Sequence, residues 1–508
     1  MFMMKRLMLV IYFRIAICTS NGCLPRDYGN GGTVCVCTAD HCDTIEPVTP
    51  LKTGQYLLYT SNKDGLRFNK TIGDFNQHFI RSDVTIKIDH DTKYQTILGW
   101  GGAFTDSAGI NINALKGIVR QHLLSSYFSN EGLEYSLCRV PIGGTDFSTY
   151  AYTYDDVTDD KELVHFNLTR EDYKYKIPLI KEAFTLTNGK LKLFGSAWSP
   201  PIWMKTNNAI SGIGFLKPEY YQTWANYHVK FLEGYENEGI KFWGLTTGNE
   251  PTTAYVPFVK LNSLAWTPFS QRQWIAENLG PTIRKSKYKD IKIMVLDDQR
   301  FCLPWWLVAV FANADAKKYI DGIALHWYWD SFFPASVLDC THEQFPEKFM
   351  LNTEACIGDK PFQKKVDLGS WARGEMYAYD IIEDLNHWVS GWLDWNMALD
   401  ETGGPTYINN NVDSPIIVNK TAQEFYKQPM FYALGHFSKF IPPGSIRIKS
   451  SVSTGDLKIT AFLRPDNGIS LIVFNDKNRD MNITISDISK GTFIITAMKH
   501  SITTVLYW

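Results

Sequence analysis

Two glutamates lie in motifs that could perform paired acid–base and nucleophilic chemistry. Glu250 lies in the run TGNEP (247–251), and Glu354 lies in the run NTEAC (352–356). Each motif follows a short apolar run, 242–246 or 349–351, that is typical of a buried strand. Strands of a (β/α) barrel carry functional groups where they end, so both carboxyls would face one rim. Such a pair could cleave a glycosidic bond, with one carboxyl as acid/base and the other as nucleophile.

Proline at position 251 restricts the backbone of the preceding glutamate. A residue before proline is steered away from helical geometry, so we expect an extended backbone at Glu250. Its side chain would then be held at the strand end, and a solvent-exposed loop glutamate is the simpler alternative. The amide of Asn249 beside it could donate a hydrogen bond to a sugar hydroxyl.

Polar and aromatic side chains recur just after the predicted strands. Singly, each has an ordinary explanation, because aspartates cap helices, tryptophans pack in cores and a lone histidine is often structural. Their shared position at strand ends favours a functional rim. The set is Asp106, Arg139, Asp146, Trp198, Asn249, Glu250, Asp297, Asp298, His326, Trp327, Tyr328, Glu354, Asp394 and Trp395.

Eight short apolar runs alternate with longer helix-like stretches from about residue 91. Among the intervening stretches we predict helices at 172–186, 220–235 and 371–386. Eight β-then-α units predict an α/β fold built on a (β/α)8 TIM barrel, about 91–445. The predicted strands are 96–101, 136–141, 191–196, 242–246, 291–296, 322–325, 349–351 and 389–393.

The alternation of strand-like and helix-like stretches ends after residue 446. Short runs separated by turn residues predict an antiparallel β-sandwich. The segment 51–90 is also strand-rich, and we expect it to pair with the C-terminal strands, giving an accessory β-sandwich domain of about 46–90 plus 446–508. The predicted C-terminal strands are 457–463, 469–474, 481–485 and 492–498.

The N-terminus predicts a secretory route. Residues 1–20 combine a basic start, an apolar stretch and small residues, which is the pattern of a signal peptide. Glycosylation sequons fit that route and occur at Asn69, Asn167, Asn419 and Asn482.

Four cysteines lie close together near the N-terminus. In an oxidising compartment they predict two disulfides with three possible pairings. A zinc knuckle is the alternative, although His41 is the only suitably spaced histidine. The four are Cys23, Cys35, Cys37 and Cys42.

Composition and missing motifs exclude several functional classes. A 44% hydrophobic chain with a net charge of −2 and no basic run argues against disorder and nucleic-acid binding. No GxSxG elbow, HExxH helix, P-loop or metal-binding His/Cys/Asp cluster occurs, so we expect no metal and no cofactor. Protonating all 11 histidines in an acidic compartment would give an upper bound of +9 for the charge, which would favour an anionic lipid surface.

These motifs resemble glycoside hydrolase family 30, and within it the lysosomal acid β-glucosidases. The resemblance covers nearly the whole chain from residue 23 onward. Its most specific stretches are GWGGAFTD (99–106), NEP (249–251), LDDQR (296–300), HWY (326–328), EACIG (354–358), GSWARG (369–374), DSPIIV (413–418) and YKQPMFYALGHFSKFI (426–441).

The resemblance implies roles for individual residues. Glu250 would be the acid/base and Glu354 the nucleophile, with Arg139 and Tyr328 orienting the nucleophile. Ionised Glu354 would raise the pKa of Glu250, and Arg139 would keep Glu354 charged. The implied substrate-binding residues are Asp146, Phe147, Trp198, Asn249, Trp327, Tyr328, Trp395 and Asn410.

The resemblance also implies a small disulfide-bonded β domain. It would combine 23–45 with about 397–430, and its cysteines would pair as Cys23–Cys35 and Cys37–Cys42.

By the same resemblance the chain would be a retaining β-glucosidase that hydrolyses glucosylceramide to glucose and ceramide. We expect it in the lysosome, reached by the secretory pathway, on the lumenal membrane face, or secreted. Expected partners are membrane glucosylceramide, an anionic lipid surface, a saposin-like activator protein and a lysosomal sorting receptor. The alternatives are another family-30 activity (β-xylosidase, β-fucosidase or β-1,6-glucanase) or a non-catalytic lipid- or sugar-binding barrel.

Overall fold

The structure, a computed structural model, describes residues 22–75, 82–257 and 260–508. The predicted signal peptide, 1–20, lies outside the described residues. In chain order the described strands are β1 (Pro25–Asp27), β2 (Thr33–Cys37), β3 (Gln55–Asn62), β4 (Asn69–Asp74), β5 (Val84–Thr96), β6 (Gly99–Ala103), β7 (Leu137–Ile142), β8 (Lys192–Ala197), β9 (Gly244–Thr246), β10 (Lys292–Gln299), β11 (Gly322–His326), β12 (Phe349–Glu354), β13 (Val389–Asn396), β14 (Leu399–Asp400), β15 (Ile416–Asn419), β16 (Glu424–Lys427), β17 (Ile446–Val452), β18 (Lys458–Leu463), β19 (Ile469–Asn475), β20 (Met481–Asp487), β21 (Gly491–Ala497) and β22 (Ser501–Tyr507). The α-helices are α1 (Asp106–Ala114), α2 (Gly117–Phe128), α3 (Ile177–Leu186), α4 (Tyr221–Asn237), α5 (Pro268–Trp274), α6 (Gly280–Lys285), α7 (Trp305–Phe311), α8 (Ala314–Tyr319), α9 (Ser336–Gln344), α10 (Trp371–Asn386) and α11 (Pro429–Ser438).

Strands β6 to β13 close into a parallel barrel in chain order. Each of the eight predicted strands overlaps one barrel strand, so the TIM-barrel prediction is confirmed. Parallel strands are buried on both faces, so their sequences are continuous apolar runs. These runs are the pattern from which the eight strands are predicted. The inside of the barrel is filled by Leu137, Phe194, Met294, Ala324, Leu351 and Leu393.

Three barrel strands extend by three residues beyond the apolar runs that predict them. Strand β10 continues to Gln299, β12 to Glu354 and β13 to Asn396. The added residues are buried, and all except Trp395 are polar, so the apolar pattern stops before the strand does. A register shift between Leu296 and Asp298 marks a bulge in β10, and bulges of this kind re-aim side chains next to active sites.

Nine strands form a second sheet in the order β21-β20-β5-β17-β18-β19-β22-β3-β4. Residues from both ends of this sheet share one core, and the rings of Tyr56 and Phe493 stack with centroids 4.5 Å apart, so the sheet folds over as a sandwich. The expected pairing of segment 51–90 with the C-terminal strands is confirmed, because β3 pairs with β22 and β5 with β17. The expectation of a purely antiparallel arrangement is wrong, since β5 and β20 run parallel.

A five-stranded sheet joins the N-terminal segment to a segment after the barrel, in the order β1-β2-β16-β15-β14. Of the three pairings left open, the structure has the disulfides Cys23–Cys35 and Cys37–Cys42. Both bonds involve β2, which lies between β1 and β16. The domain boundaries drawn from the sequence stay predictions.

The four sequons differ in exposure. Asn69 and Asn167 are exposed, whereas Asn419 and Asn482 are partly buried and hydrogen-bonded to Tyr426 and Thr496. Their glycosylation stays a prediction. Within 22–75, 82–257 and 260–508, every helix is too short or too polar to cross a bilayer.

Candidate active site

The two predicted glutamates meet at the carboxyl-terminal rim of the barrel. Glu354 ends β12, and Glu250 follows β9 by four residues. Side-chain oxygens of both glutamates and a ring nitrogen of His326 all lie within 4.8 Å of one another. The glutamates are 8% (Glu250) and 5% (Glu354) exposed. Carboxyls this close leave no room for a water between nucleophile and sugar, so the geometry fits a retaining rather than an inverting glycosidase.

Three side chains hold the carboxylate of Glu250. His326 Nδ1 lies 2.9 Å from Oε1, Gln299 Nε2 donates to the same oxygen at 2.7 Å, and Thr253 Oγ1 donates to Oε2 at 2.7 Å. The expected extended backbone is wrong, because Glu250 has a φ of 42°. This left-handed conformation is sparsely populated by non-glycine residues. It is held by hydrogen bonds from Glu250 N–H to the Asp297 carbonyl and from Thr253 N–H to the Glu250 carbonyl.

A cation and a phenol hold the carboxylate of Glu354. Arg139 Nη1 donates to Oε2, and the Tyr328 hydroxyl donates to Oε1 at 2.8 Å. The guanidinium of Arg139 is fully buried and lies over the ring of Trp198, 4.6 Å from its centroid. Charge-assisted hydrogen bonds of this kind fix both the position and the orientation of a carboxylate.

Asp297, in the β10 bulge, anchors both cations of the site. Its Oδ2 accepts from Arg139 Nη2 at 2.6 Å, and its Oδ1 lies 3.1 Å from His326 Nε2. Burial acts to raise the pKa of Asp297, but the charges of Arg139 and His326 and their hydrogen bonds hold it well below its usual range. Hydroxyl groups that donate to the same carboxylate belong to Ser196, Thr246 and Thr353.

The pKa values of the two glutamates shift in the direction opposite to the expectation. Burial acts to raise the pKa of Glu250, but the hydrogen bond and charge of His326 outweigh it, and the pKa lies below its usual value. Burial raises the pKa of Glu354, which the charges of His326 and Arg139 only partly offset. The pKa of His326 itself is raised to about 10, because its acidic neighbours outweigh burial. The expectation drawn from the sequence did not include a charged His326. This charge explains why the pKa of Glu250 is lowered instead of raised.

Aromatic rings form one wall of the pocket. Trp198 and Trp395 stack with centroids 5.0 Å apart, and Phe147 meets Trp395 edge-on at 6.2 Å. Arg139 lies over both tryptophans, so the aromatic wall also packs against the cation that holds Glu354.

A buried acid and two amides supply polar groups for a sugar. Asn410 Nδ2 donates to Asp146 Oδ2 at 2.9 Å, and Asn249 Oδ1 accepts from Arg139 at 2.8 Å. Burial, followed by the charge of Glu354, raises the pKa of Asp146 to about 7. Asp146 is thus close enough to the catalytic pair to respond to its charge.

Comparison with known families agrees with this geometry. Residues 97–441 match the glycosyl hydrolase family 30 TIM-barrel domain, and residues 444–505 match the family 30 beta sandwich domain. The first match alone spans more than half of the chain. The chain belongs to glycoside hydrolase family 30.

Family 30 relatives extend over almost the whole length. The lysosomal acid glucosylceramidase of Mus musculus is 43% identical over 492 residues, which cover 96% of this chain and 95% of that protein. An endo-1,6-beta-D-glucanase of Neurospora crassa is 28% identical over 446 residues, covering 83% and 87%. Among solved structures, SrfJ from Salmonella typhimurium is similar with a TM-score of 0.83 and 27% identity, covering 89% of this chain and 99% of that one.

Trp327, predicted to bind substrate, packs against the barrel and lines a groove next to Tyr328. Its Nε1 donates to the Cys356 carbonyl at 2.9 Å, and its ring packs edge-on against Tyr377 and Trp392. Two aspartates of the strand-end set, Asp106 and Asp394, hydrogen-bond to buried Tyr152 and Tyr377 instead of the catalytic glutamates.

Three residues that contact Glu250 lie outside the predicted catalytic and substrate-binding set. They are His326, Gln299 and Thr253. The position of His326 at a strand end was the available signal, but one histidine has no pattern that separates a structural role from a functional one. Gln299 lies beyond the predicted β10 run, and Thr253 lies in a loop without regular spacing.

Glu250, His326 and Glu354 are close enough to be considered as metal ligands. A ligating histidine must be neutral, whereas the pKa of His326 is about 10. Arg139 places a second cation beside Glu354. The charge pattern therefore disfavours a metal here and suits a sugar held between two carboxyls.

Proposed function

We propose that this chain is a retaining β-glucosidase that hydrolyses the β-glucosyl bond of glucosylceramide and releases glucose and ceramide. The proposal rests on the geometry of Glu250 and Glu354, whose side-chain oxygens lie within 4.8 Å of each other in a buried pocket. The 43% identity to a mouse lysosomal acid glucosylceramidase over 96% of the chain supports the substrate.

The reaction would proceed by double displacement. Glu354 attacks the anomeric carbon while Glu250 gives its proton to the ceramide oxygen, which leaves as the alcohol. Glu250 then takes a proton from water, and the water oxygen displaces Glu354 to release β-glucose. Arg139 and Tyr328 hold Glu354 in line for the attack, and His326 holds Glu250.

The glucose would lie among the polar and aromatic groups at the pocket wall. Asp146 and Asn249 offer hydrogen-bonding groups for its hydroxyls, and the Trp198–Trp395 pair offers an apolar face. This combination of a few oriented polar groups in an aromatic pocket is common in sites for small ligands.

The ceramide would leave the pocket along an aromatic rim. Phe332 and Phe362 are 67% and 86% exposed and line the groove beside Tyr328. Exposed aromatic residues at a site entrance favour contact with lipid or with another protein. We therefore propose membrane glucosylceramide as substrate and a saposin-like protein as activator.

We place the enzyme on the lumenal face of the lysosomal membrane, reached by the secretory pathway through a sorting receptor, with a secreted form as alternative. The upper bound of +9 in acid is not reached. Burial lowers the pKa of His228 to about 4 and that of His436 to about 3, so both stay neutral in a mildly acidic compartment. These two residues lower the bound by two charges, and the positive charge that remains possible in acid would still favour an anionic lipid surface.

A substrate panel tests the proposed activity. Fluorogenic β-glucoside, β-xyloside and β-fucoside, a β-1,6-glucan and glucosylceramide in anionic vesicles are compared as substrates of the purified protein. We expect turnover of the β-glucoside and of glucosylceramide. Preference for another glycoside or for the glucan would show that the protein has another family-30 activity and is not a glucosylceramidase. NMR of the first product should show β-glucose, and α-glucose would exclude double displacement.

Two glutamine variants test the proposed roles. Glu354→Gln should abolish turnover because it removes the nucleophile. Glu250→Gln should lower kcat by about 10²- to 10⁴-fold, and less with an acidic phenol leaving group that needs no proton. The exposed Glu277 provides the control, since Glu277→Gln should leave turnover unchanged. Turnover by both active-site variants at the normal rate would show that other residues catalyse the reaction, whereas no turnover by the wild type would indicate a non-catalytic barrel.

A further inference from the structure

Four carboxyl groups and one guanidinium lie together beside the groove near the active site. Asp380, Glu383 and Asp384 share one face of α10, because residues three and four apart are neighbours on a helix. Asp330 faces them from the segment after β11. Arg300 binds Asp330 and Asp384 at 2.8 Å and Glu383 at 3.0 Å.

One guanidinium cannot neutralise four carboxylates. Burial raises the pKa of Asp330, Asp380 and Asp384, and the charges of neighbouring carboxylates add to the effect. A lysine at the groove rim, Lys360, is paired with Asp359 at 2.6 Å. The cluster therefore carries uncompensated negative charge whenever its acids are ionised.

Two buried oxygens at this cluster have no hydrogen-bond partner within the described part of the chain. They are Oδ1 of Asp330, whose side chain is 7% exposed, and Oδ1 of Asn352, which is 1% exposed. Asn352 Nδ2 donates to Asp384 Oδ2 at 3.0 Å, so this amide lies against the cluster. Buried acceptors without donors are costly, and here they accompany excess negative charge.

We propose that Asp330, Asp380 and Asp384 bind a divalent cation with the chemistry of calcium. Oxygens of the three aspartates all lie within 4.8 Å of one another, and one Ca²⁺ can bridge that spacing with Ca–O distances of about 2.4 Å. All three donors are carboxylate oxygens, which hard cations bind well and which zinc and copper favour less than nitrogen or sulfur. The proposal is independent of the glycosidase function.

The cation can reach the site from solvent. Asp330 and Asp380 line a groove of about 880 Å³, which leaves room for the waters that complete a calcium shell. Trp392 Nε1 donates to Asp380 Oδ2 at 2.9 Å, and this bond fixes one carboxylate against the barrel. A bound ion would join the segment after β11 to α10.

Two neighbouring charged side chains affect binding at this site. Arg300 opposes the ion, whereas Glu383 adds a fourth negative charge beside it.

Thermal unfolding of the full chain tests the site. Protein dialysed against EDTA is compared with protein in excess CaCl₂ at neutral pH. Calcium should raise Tm by about 3 °C or more. Tb³⁺, a calcium analogue, should luminesce on tryptophan excitation because Trp392 contacts Asp380, and calcium should displace it.

Two asparagine variants assign the site. Asp380→Asn should lose the calcium-dependent Tm shift and the Tb³⁺ signal, yet keep a Tm without calcium no lower than wild type, because it removes an uncompensated charge. Asp476→Asn is the matched control, since Asp476 lines the same groove outside the cluster and should leave both signals intact. An unchanged wild-type Tm with calcium and no Tb³⁺ luminescence would overturn the proposal. Full calcium response in Asp380→Asn would do the same.

Discussion

The imidazole Nδ1 of His326 lies 2.9 Å from Oε1 of Glu250. Because the pKa of His326 is raised to about 10, this ring is charged at every pH at which the protein would act. A fixed cation lowers the pKa of the neighbouring carboxyl and so restricts proton donation by Glu250 to acidic pH.

His326→Gln should therefore move the alkaline limb of the pH–rate profile to higher pH. Glutamine keeps a hydrogen-bond donor but removes the charge, so the pKa of Glu250 rises and its proton is lost only at higher pH. The measurement is kcat/KM for a fluorogenic β-glucoside across the pH range, which reports an apparent value for the coupled carboxyl pair. His165→Gln is the control, because the His165 side chain is 60% exposed. A limb that stays in place or moves to lower pH would contradict this role.

Loss of the Tyr328 hydroxyl should weaken catalysis without removing it. Tyr328→Phe deletes one hydrogen bond to Glu354, and bonds to charged groups contribute about 1.5–3 kcal/mol. We expect kcat with a β-glucoside to fall about 10- to 100-fold. Tyr173, which is 52% exposed, provides the control Tyr173→Phe. A kcat within twofold of wild type would show that Arg139 alone orients the nucleophile.

Truncation of Asp146 should reduce sugar recognition. Asp146→Ala removes a buried polar group beside Asn410, and losing a hydrogen bond of this type should lower kcat/KM about 10- to 100-fold. Steady-state kinetics with the β-glucoside measure the effect, and Asp290→Ala, at an exposed position, is the comparison. Equal values of kcat/KM for the two variants would show that the sugar does not bind at Asp146.

The disulfides should differ in their contribution to stability. Cys23 and Cys35 are separated by 12 positions, and Cys37 and Cys42 by 5. A longer closed loop restricts the unfolded chain more, with about 3 kcal/mol expected for a loop of roughly 15 residues. Replacing both Cys23 and Cys35 by alanine should lower Tm more than replacing the other pair.

The exposed free thiol Cys340 supplies the control for that comparison. Cys340→Ala should leave Tm unchanged in a thermal scan. The reverse order of the two disulfide variants would show that local packing around β2 outweighs loop length.

The barrel and the meeting of Glu250 and Glu354 at one rim could be predicted from the sequence, because buried parallel strands and the motifs at their ends leave a direct pattern. The left-handed backbone conformation of Glu250 could not be predicted from the sequence. Proline excludes the helical region but does not choose between extended and left-handed geometry, and the choice here depends on a hydrogen bond to Asp297, a residue distant in the chain.

Short or polar strands were also beyond sequence reasoning. Strand β14 has two residues and β1 has three, too few to establish a period, so the small sheet was expected only through family resemblance. Strand β22, SITTVLY, is buried throughout, but its serine and threonines interrupt the apolar pattern. The charge of His326 depends on Glu354 and Asp297, which no local window contains.

Strand β22 lies between β19 and β3, so the hairpin of β3 and β4 joins the nine-stranded sheet only through residues 501–507. The ribosome must translate past residue 507 before β22 is available to pair with β3 of this hairpin. A nonsense codon upstream of 501 would thus leave the hairpin without its neighbour and expose β19 as an open edge, a substrate for aggregation and quality control.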